Sequence, residues 1–321
     1  MRVITAALLA AAVAAGPAAL PGAATPQERP QRDRPGTVRP PTWVEGTLRV
    51  GGVDRAYRLS VPHPGRVPVI IALHGKGDTP AGMDKTTRLS AVAAARGIAV
   101  AYPTGLNKAW GDSLEPTRLR PDPHADVEFV EALARRLVRG HHIDPARIYL
   151  AGMSNGANLA LRIAAQRPAR FAGVAAVAGQ LAARPAPPRP ERGIPALIVY
   201  GTADPLRPYA GLPDPPPPND QISNEPPIAT IGTMDTARAF ARAAKAARHA
   251  PVRLPDTAPD DGTTVTRTTW HSPGTPRVEL YTVRGGGHTW PGGTGQYPDI
   301  QGRVGMDIDA GRVIVGFFAR R

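Results

Sequence analysis

A serine flanked by glycines sits where an apolar run gives way to an Ala/Leu-rich one. Arg147-Ile148-Tyr149-Leu150 leads into Ala151-Gly152-Met153-Ser154-Asn155-Gly156, and the residues after it carry helical patterning. A Gly-x-Ser-x-Gly turn between a strand and a helix holds the backbone in a strained conformation, with glycine needed where neighbouring main chain packs close. The turn raises the serine hydroxyl to the end of a sheet and aims the N-terminus of the next helix at any negative charge that develops there. Such a turn demands a strand-to-helix crossover and so a mainly parallel sheet.

The rest of the chain agrees. Strands are expected at 46–50, 55–61, 67–73, 97–102, 147–150, 173–178, 194–200 and 277–283. Helices are expected at 83–96, 126–140, 155–166, 232–249 and 307–320. In the second of these, Val127, Val130, Leu133, Ala134, Leu137 and Val138 share one face. Two hairpin-like strands followed by alternating strands and helices imply an α/β fold: a mostly parallel eight-stranded sheet with helices on both faces.

The ends and loops carry other signals. Met1-Arg2-Val3, a long apolar stretch and Pro21-Gly22-Ala23-Ala24 make residues 1–24 a secretory signal peptide, cut after Ala24, and the mature protein is expected outside the cell. Residues 25–45 read as a Pro/Arg-rich flexible lead-in, and 46–321 as one catalytic domain. The proline-rich stretch 214–227 either shapes a binding cleft or is a solvated insertion. The 321 residues include no cysteine, which excludes disulfides and thiol chemistry and leaves stability to the core. The formal net charge of +13 comes from scattered arginines with no aromatic interleaving. That argues for a basic surface near anionic polymers rather than a specific nucleic-acid partner.

A serine nucleophile needs a base, and the base needs an orienting acid, in the chain order Ser, Asp or Glu, His on a sheet of this type. Asp204 follows strand 194–200, and His288 follows strand 277–283 after Gly285-Gly286-Gly287. The glycines are read as giving the imidazole freedom to orient. Asp307 and Asp309 are rival acids, but both read as caps of the last helix. The oxyanion donors are expected to be the backbone amides of Asn155, after the nucleophile, and Lys76, in the His74-Gly75 turn, with Gly77 close behind. His74 itself reads as structural. Asp122, His124 and Asp126 are spaced closely enough to consider a metal, but Asp126 reads better as an N-cap. No metal or cofactor is expected: zinc and nucleotide signatures are absent.

Taken together, Leu73-His74-Gly75, Gly152-Met153-Ser154-Asn155-Gly156-Ala157, Gly201-Thr202-Ala203-Asp204 and Gly286-Gly287-His288-Thr289-Trp290-Pro291-Gly292 resemble the secreted polyhydroxybutyrate depolymerase family, which includes feruloyl and acetylxylan esterases. The resemblance spans roughly residues 45–320. It implies an α/β-hydrolase fold, a serine esterase acting on hydroxybutyrate oligomers or on feruloyl or acetyl esters, and Ser154, Asp204 and His288 as nucleophile, acid and base. It also suggests Trp110 and Trp290 as residues lining the substrate pocket, although either could be core. Many relatives carry cysteines, one of them after the His-Gly; this chain has Lys76 there and none elsewhere. An ester substrate and a monomer are expected. A peptidase on the same fold and a non-catalytic secreted binding protein remain as rival readings.

Overall fold

A computed structural model describes residues 41–118, 120–216, 227–295 and 297–320. The expected signal peptide, residues 25–40 of the lead-in and residues 217–226 of the proline-rich stretch lie outside the described residues.

Among the described residues, ten strands form one sheet: β1 (Thr42–Val50), β2 (Val53–Val61), β3 (Val67–Leu73), β4 (Ala99–Pro103), β5 (Ile143–Met153), β6 (Gly173–Val177), β7 (Ala196–Gly201), β8 (Val252–Arg253), β9 (Thr264–Trp270) and β10 (Val278–Arg284). Their spatial order is β1-β2-β4-β3-β5-β6-β7-β10-β9-β8. The six strands from β4 to β10 in that order are parallel; β1 and β2 at one edge and β9 and β8 at the other are antiparallel. Strands β4, β6 and β7 are buried at every residue, which is why they read as unbroken apolar runs.

The sheet has two strands more than the eight expected. Strand β9, Thr-Val-Thr-Arg-Thr-Thr-Trp, buries only Val265, Thr268 and Trp270, so its β-branched content is not matched by an apolar alternation. Strand β8 has two exposed residues and no pattern to read. At the other edge, β1 starts at Thr42, ahead of the expected residue 46.

Helices α3 (Ala125–Gly140), α4 (Asn155–Gln166) and α5 (Thr233–Ala243) supply one apolar layer, and α1 (Pro80–Thr87), α2 (Leu89–Ala94) and α6 (Ala310–Ala319) the other. Alternation along β3 divides the layers: Val69, Ile71 and Leu73 pack with the first, Ile70 and Ala72 with the second. This is the α/β-hydrolase arrangement.

Two helices differ from expectation. The helix expected over 83–96 breaks at Arg88, which has a left-handed φ of 51°. Thr87 Oγ1 donates back to the Met83 carbonyl at 2.8 Å and accepts from Leu89 N at 3.2 Å, so a side chain replaces the ladder there. The helix expected to reach residue 249 ends at Ala243, and His249 N instead donates to Thr269 of β9.

Candidate active site

Strand β5 ends at Met153 and α4 starts at Asn155. Between them Ser154 has φ 53° and ψ −122°, a conformation that L-residues avoid. The flanking glycines are required by space. A Cβ on Gly156 would sit on the carbonyls of Leu73 and His74, and one on Gly152 would sit on the Gly156 carbonyl. Ser154 N is anchored to the Val177 carbonyl at 2.9 Å, and the Ser154 carbonyl accepts from Asn158 N at 2.9 Å.

The residues after β7 and β10 meet this serine. His288 Nε2 lies 2.7 Å from Ser154 Oγ, and His288 Nδ1 lies 2.6 Å from Asp204 Oδ2. A carboxylate only accepts, so Nδ1 carries the proton, and Nε2 of the neutral ring accepts from the serine hydroxyl. Asp204 is held from its other oxygen: Oδ1 accepts from Leu206 N at 2.9 Å and Arg207 N at 2.8 Å. The contact between Asp204 and His288 joins residues 84 positions apart in the chain.

Glycine makes that meeting possible, though not through the freedom expected. Of the run before His288, Gly285 has a positive φ of 74°, but Gly286 and Gly287 do not. Their role is close approach. A Cβ on Gly201 would collide with the carbonyls of Gly286 and Gly287, and a Cβ on Gly287 with that of Gln301. The loop is then pinned by Gly287 N to Arg303 O at 2.8 Å and His288 N to Gln301 O at 2.6 Å.

A small cavity opens beside the serine turn, lined by Lys76, Trp110, Asn155 and Arg207 among others. Gly77 donates its amide to the Lys108 carbonyl at 2.7 Å, which removes it as an oxyanion donor. The Asn155 side chain is taken up by the Trp110 backbone: Trp110 N donates to Oδ1 at 2.7 Å, and Nδ2 donates to the Trp110 carbonyl at 2.9 Å. His74 is structural. Gly105 N donates to its Nε2 at 3.0 Å, so the proton is on Nδ1, which donates to the Gly75 carbonyl at 2.8 Å. Burial holds the His74 pKa below its ordinary value. A hydroxyl, a neutral imidazole and a carboxylate in a hydrogen-bonded line, next to a cavity and a helix N-terminus, can move a proton off the hydroxyl as it attacks an electrophilic carbon.

The sequence matches the model of the family described as Esterase PHB depolymerase over residues 56–186. NocK of Nocardia uniformis subsp. tsuyamanensis, which carries an esterase name, is 43% identical over 275 residues, covering 84% of this chain and 80% of NocK. The chain belongs to the PHB-depolymerase esterase family. Two shorter matches are found as well. Poly(3-hydroxyalkanoate) depolymerase C of Paucimonas lemoignei is 30% identical over 36% of this chain and 28% of that protein. Feruloyl esterase B of Neurospora crassa is 29% identical over 35% of this chain and 38% of that protein.

In this esterase the two tryptophans part company. Trp110 lines the cavity, packs against His74 with the rings tilted by 47° and their centroids 5.0 Å apart, and donates its indole N–H to the His74 carbonyl at 2.8 Å. Trp290 is fully buried in the α1/α2/α6 layer, and its Nε1 has no partner among the described residues, so it does not line a substrate pocket. Asp309 caps α6 through Arg312 N, as expected, but Asp307 accepts from Thr257 N at 2.6 Å and Ala258 N at 3.1 Å instead of capping.

Asp126 also departs from its expected cap role. It is buried and accepts from Arg55 Nη2 at 2.8 Å, Arg120 Nε at 2.8 Å and Gly111 N at 2.7 Å. Arg120 reaches on to the carbonyls of Leu106 and Ala109, and buried Arg162 of α4 to those of Gly111 at 2.9 Å and Ser113 at 2.5 Å. These arginines tie the cavity wall at 105–113 to β2 and α4 without disulfides. Sequence reasoning missed them because each partner is remote in the chain and buried arginine has no local pattern.

Proposed function

We propose that this chain is a secreted serine esterase that hydrolyses carboxylic esters of the hydroxybutyrate-oligomer, feruloyl or acetyl type. The observation that carries the reading is the hydrogen-bonded line from Asp204 through His288 to Ser154, with the serine on a strained strand-to-helix turn. Ser154 Oγ attacks the ester carbonyl carbon, and its proton passes to His288 Nε2. Asp204 keeps the ring in the required tautomer and balances the imidazolium. The oxyanion accepts from the backbone amides of Asn155 and Lys76; one such donor is typically worth about 10²–10³ in rate. The alcohol leaves with the proton from His288, and water, deprotonated by the same imidazole, releases the acid from the acyl-enzyme. Residues 1–24 are proposed as the signal peptide, residues 25–41 as the lead-in preceding the catalytic domain, which the start of β1 at Thr42 shortens from the expected 25–45, and the mature protein as extracellular.

The test is a panel of nitrophenyl esters, methyl ferulate, acetylated xylan and short hydroxybutyrate oligomers, assayed with the parent and Ser154→Ala. Hydrolysis by the parent alone supports the reading, and the rank order selects the ester class. Turnover retained in Ser154→Ala rejects the nucleophile. A parent that cleaves peptides but not esters supports the peptidase alternative, and one that fails to react with a fluorophosphonate supports the binding alternative.

A further inference from the structure

The cavity beside Ser154 contains a cation with an unused donor. Arg207 lines it together with Lys76, Trp110 and Asn155. Arg207 Nη1 is shielded from solvent and has no hydrogen-bond partner among the described residues. A buried charged donor left unpaired is costly, and of the arginines with such a donor among the described residues, Arg55, Arg162, Arg207 and Arg267, it is Arg207 that lines this cavity.

The position of this arginine is fixed by the same turn that fixes Asp204. Arg207 N donates to Asp204 Oδ1 at 2.8 Å, and the Arg207 carbonyl accepts from Tyr200 Oη at 3.0 Å. The next two carbonyls, Pro208 and Tyr209, accept from Gln180 Nε2 at 3.0 and 3.3 Å. The guanidinium is thus carried on a backbone that is anchored before and after it.

The acidic side chains of the cavity have other partners. Asp112 Oδ2 accepts from Asn158 Nδ2 at 2.8 Å, and Glu115 pairs with Arg184 at 3.3 Å. Arg120, also on the wall, is directed at Asp126. A planar guanidinium with a free N–H matches a carboxylate better than any neutral group.

We propose that Arg207 recognises a carboxylate on the substrate, so that the preferred ester carries an acidic group a few bonds from the scissile carbonyl. Half-esters of dicarboxylic acids and acid-terminated hydroxyalkanoate oligomers belong to this class. The proposal rests on the esterase reading above.

The experiment compares kcat/KM for the 4-nitrophenyl half-esters of succinate and glutarate with that for 4-nitrophenyl butyrate and pentanoate, each normalised to its rate of hydrolysis by hydroxide. The parent is expected to favour the anionic ester by about 10- to 100-fold, the range of one charge-assisted hydrogen bond, mainly through KM. Arg207→Met should bring that ratio close to one, Arg207→Lys should keep part of it, and added KCl should lower it in the parent. A parent ratio at or below one, or a ratio unchanged in Arg207→Met, overturns the proposal. Inhibition of butyrate-ester turnover by free glutarate in the parent needs no variant and covers the case in which Arg207→Met does not fold; absence of inhibition counts against the proposal. If the parent cleaves neutral esters in a Ser154-dependent way without any anionic preference, the esterase reading survives and the carboxylate site does not. If it cleaves neither, the esterase reading itself fails.

Discussion

Replacing Asp126 by asparagine keeps the shape of the side chain and removes its charge. In the native protein that carboxylate, 1% exposed, faces the guanidinium groups of Arg55 and Arg120 and the amide of Gly111, all at 2.7–2.8 Å. The substituted amide would turn at least one N–H toward a guanidinium donor, and both arginines would stay buried without a counter-ion. Removing one partner of a buried ion pair costs about 3–5 kcal/mol. Arg55 retains a cation–π contact over Phe129 at 4.0 Å, so the lower half of that range is the expectation. At about 2–3 °C per kcal/mol for a domain of this size, Tm should fall by about 6–12 °C. Urea unfolding followed by circular dichroism measures the loss, and Arg55→Met combined with Asp126→Asn measures the coupling. A native-like wall at 105–113 also holds Asn155 next to Ser154, so kcat/KM should fall by up to about 10², the effect of a misplacement near 1 Å. A destabilisation under about 1 kcal/mol, or single-variant effects that add within about 0.5 kcal/mol, would refute the reasoning.

Other outcomes are expected from single sites. Gly201→Ala places a Cβ on the carbonyls of the His288 loop, so kcat/KM should drop by about 10² or more for a stability loss of about 1–3 kcal/mol; activity within threefold of the parent would show that the loop tolerates the intrusion. Ser154→Gly should be more stable than Ser154→Ala by about 0.5–2 kcal/mol, because glycine relieves strain of about 1–3 kcal/mol at φ 53° and loses part of that to backbone entropy; calorimetry that ranks Ala above Gly would contradict this. His74 is buried with its pKa held below the ordinary 6.5, so the unfolded chain takes up a proton there before the folded one does. Its contribution is therefore complete above pH 6.5 and is lost as the pH falls below it, by at most about 1.4 kcal/mol per pH unit. His74→Asn should flatten that acid arm of the Tm–pH curve, and an unchanged slope would assign the proton uptake elsewhere.

Much of the site was legible because its signals are local. The glycines around Ser154 mark a turn that only a bare backbone can make, and the order of Asp204 and His288 after apolar strands follows from parallel topology. The helix face Val127, Val130, Leu133, Ala134 and Leu137 was legible for the same reason, since a helix period shows in any window of a few turns. Strand β9 was not: an antiparallel edge strand rich in threonine buries too few apolar residues to show its period. The break at Arg88 was hidden because it depends on where Thr87 directs its hydroxyl.

The sequence by itself determined the strand-to-helix serine turn, the parallel core and which residue types stand at the strand ends, because propensity, periodicity and glycine sterics act between near neighbours in the chain. Tertiary structure decided how those ends are used. It sent Trp110 to the cavity and Trp290 to the core, although both stand beside family-like motifs. It took Asp126, in the first turn of α3, away from a cap role and surrounded it with Arg55, 71 residues away, and with Arg120. It made Gly201 and Gly287 sites of close contact between loops distant in the chain, and it left Arg207, a residue of the cavity lining, with a buried donor unpaired among the described residues. Each of these outcomes depends on which groups meet when water is excluded, and burial, unlike periodicity, belongs to the packed molecule and not to any stretch of its chain.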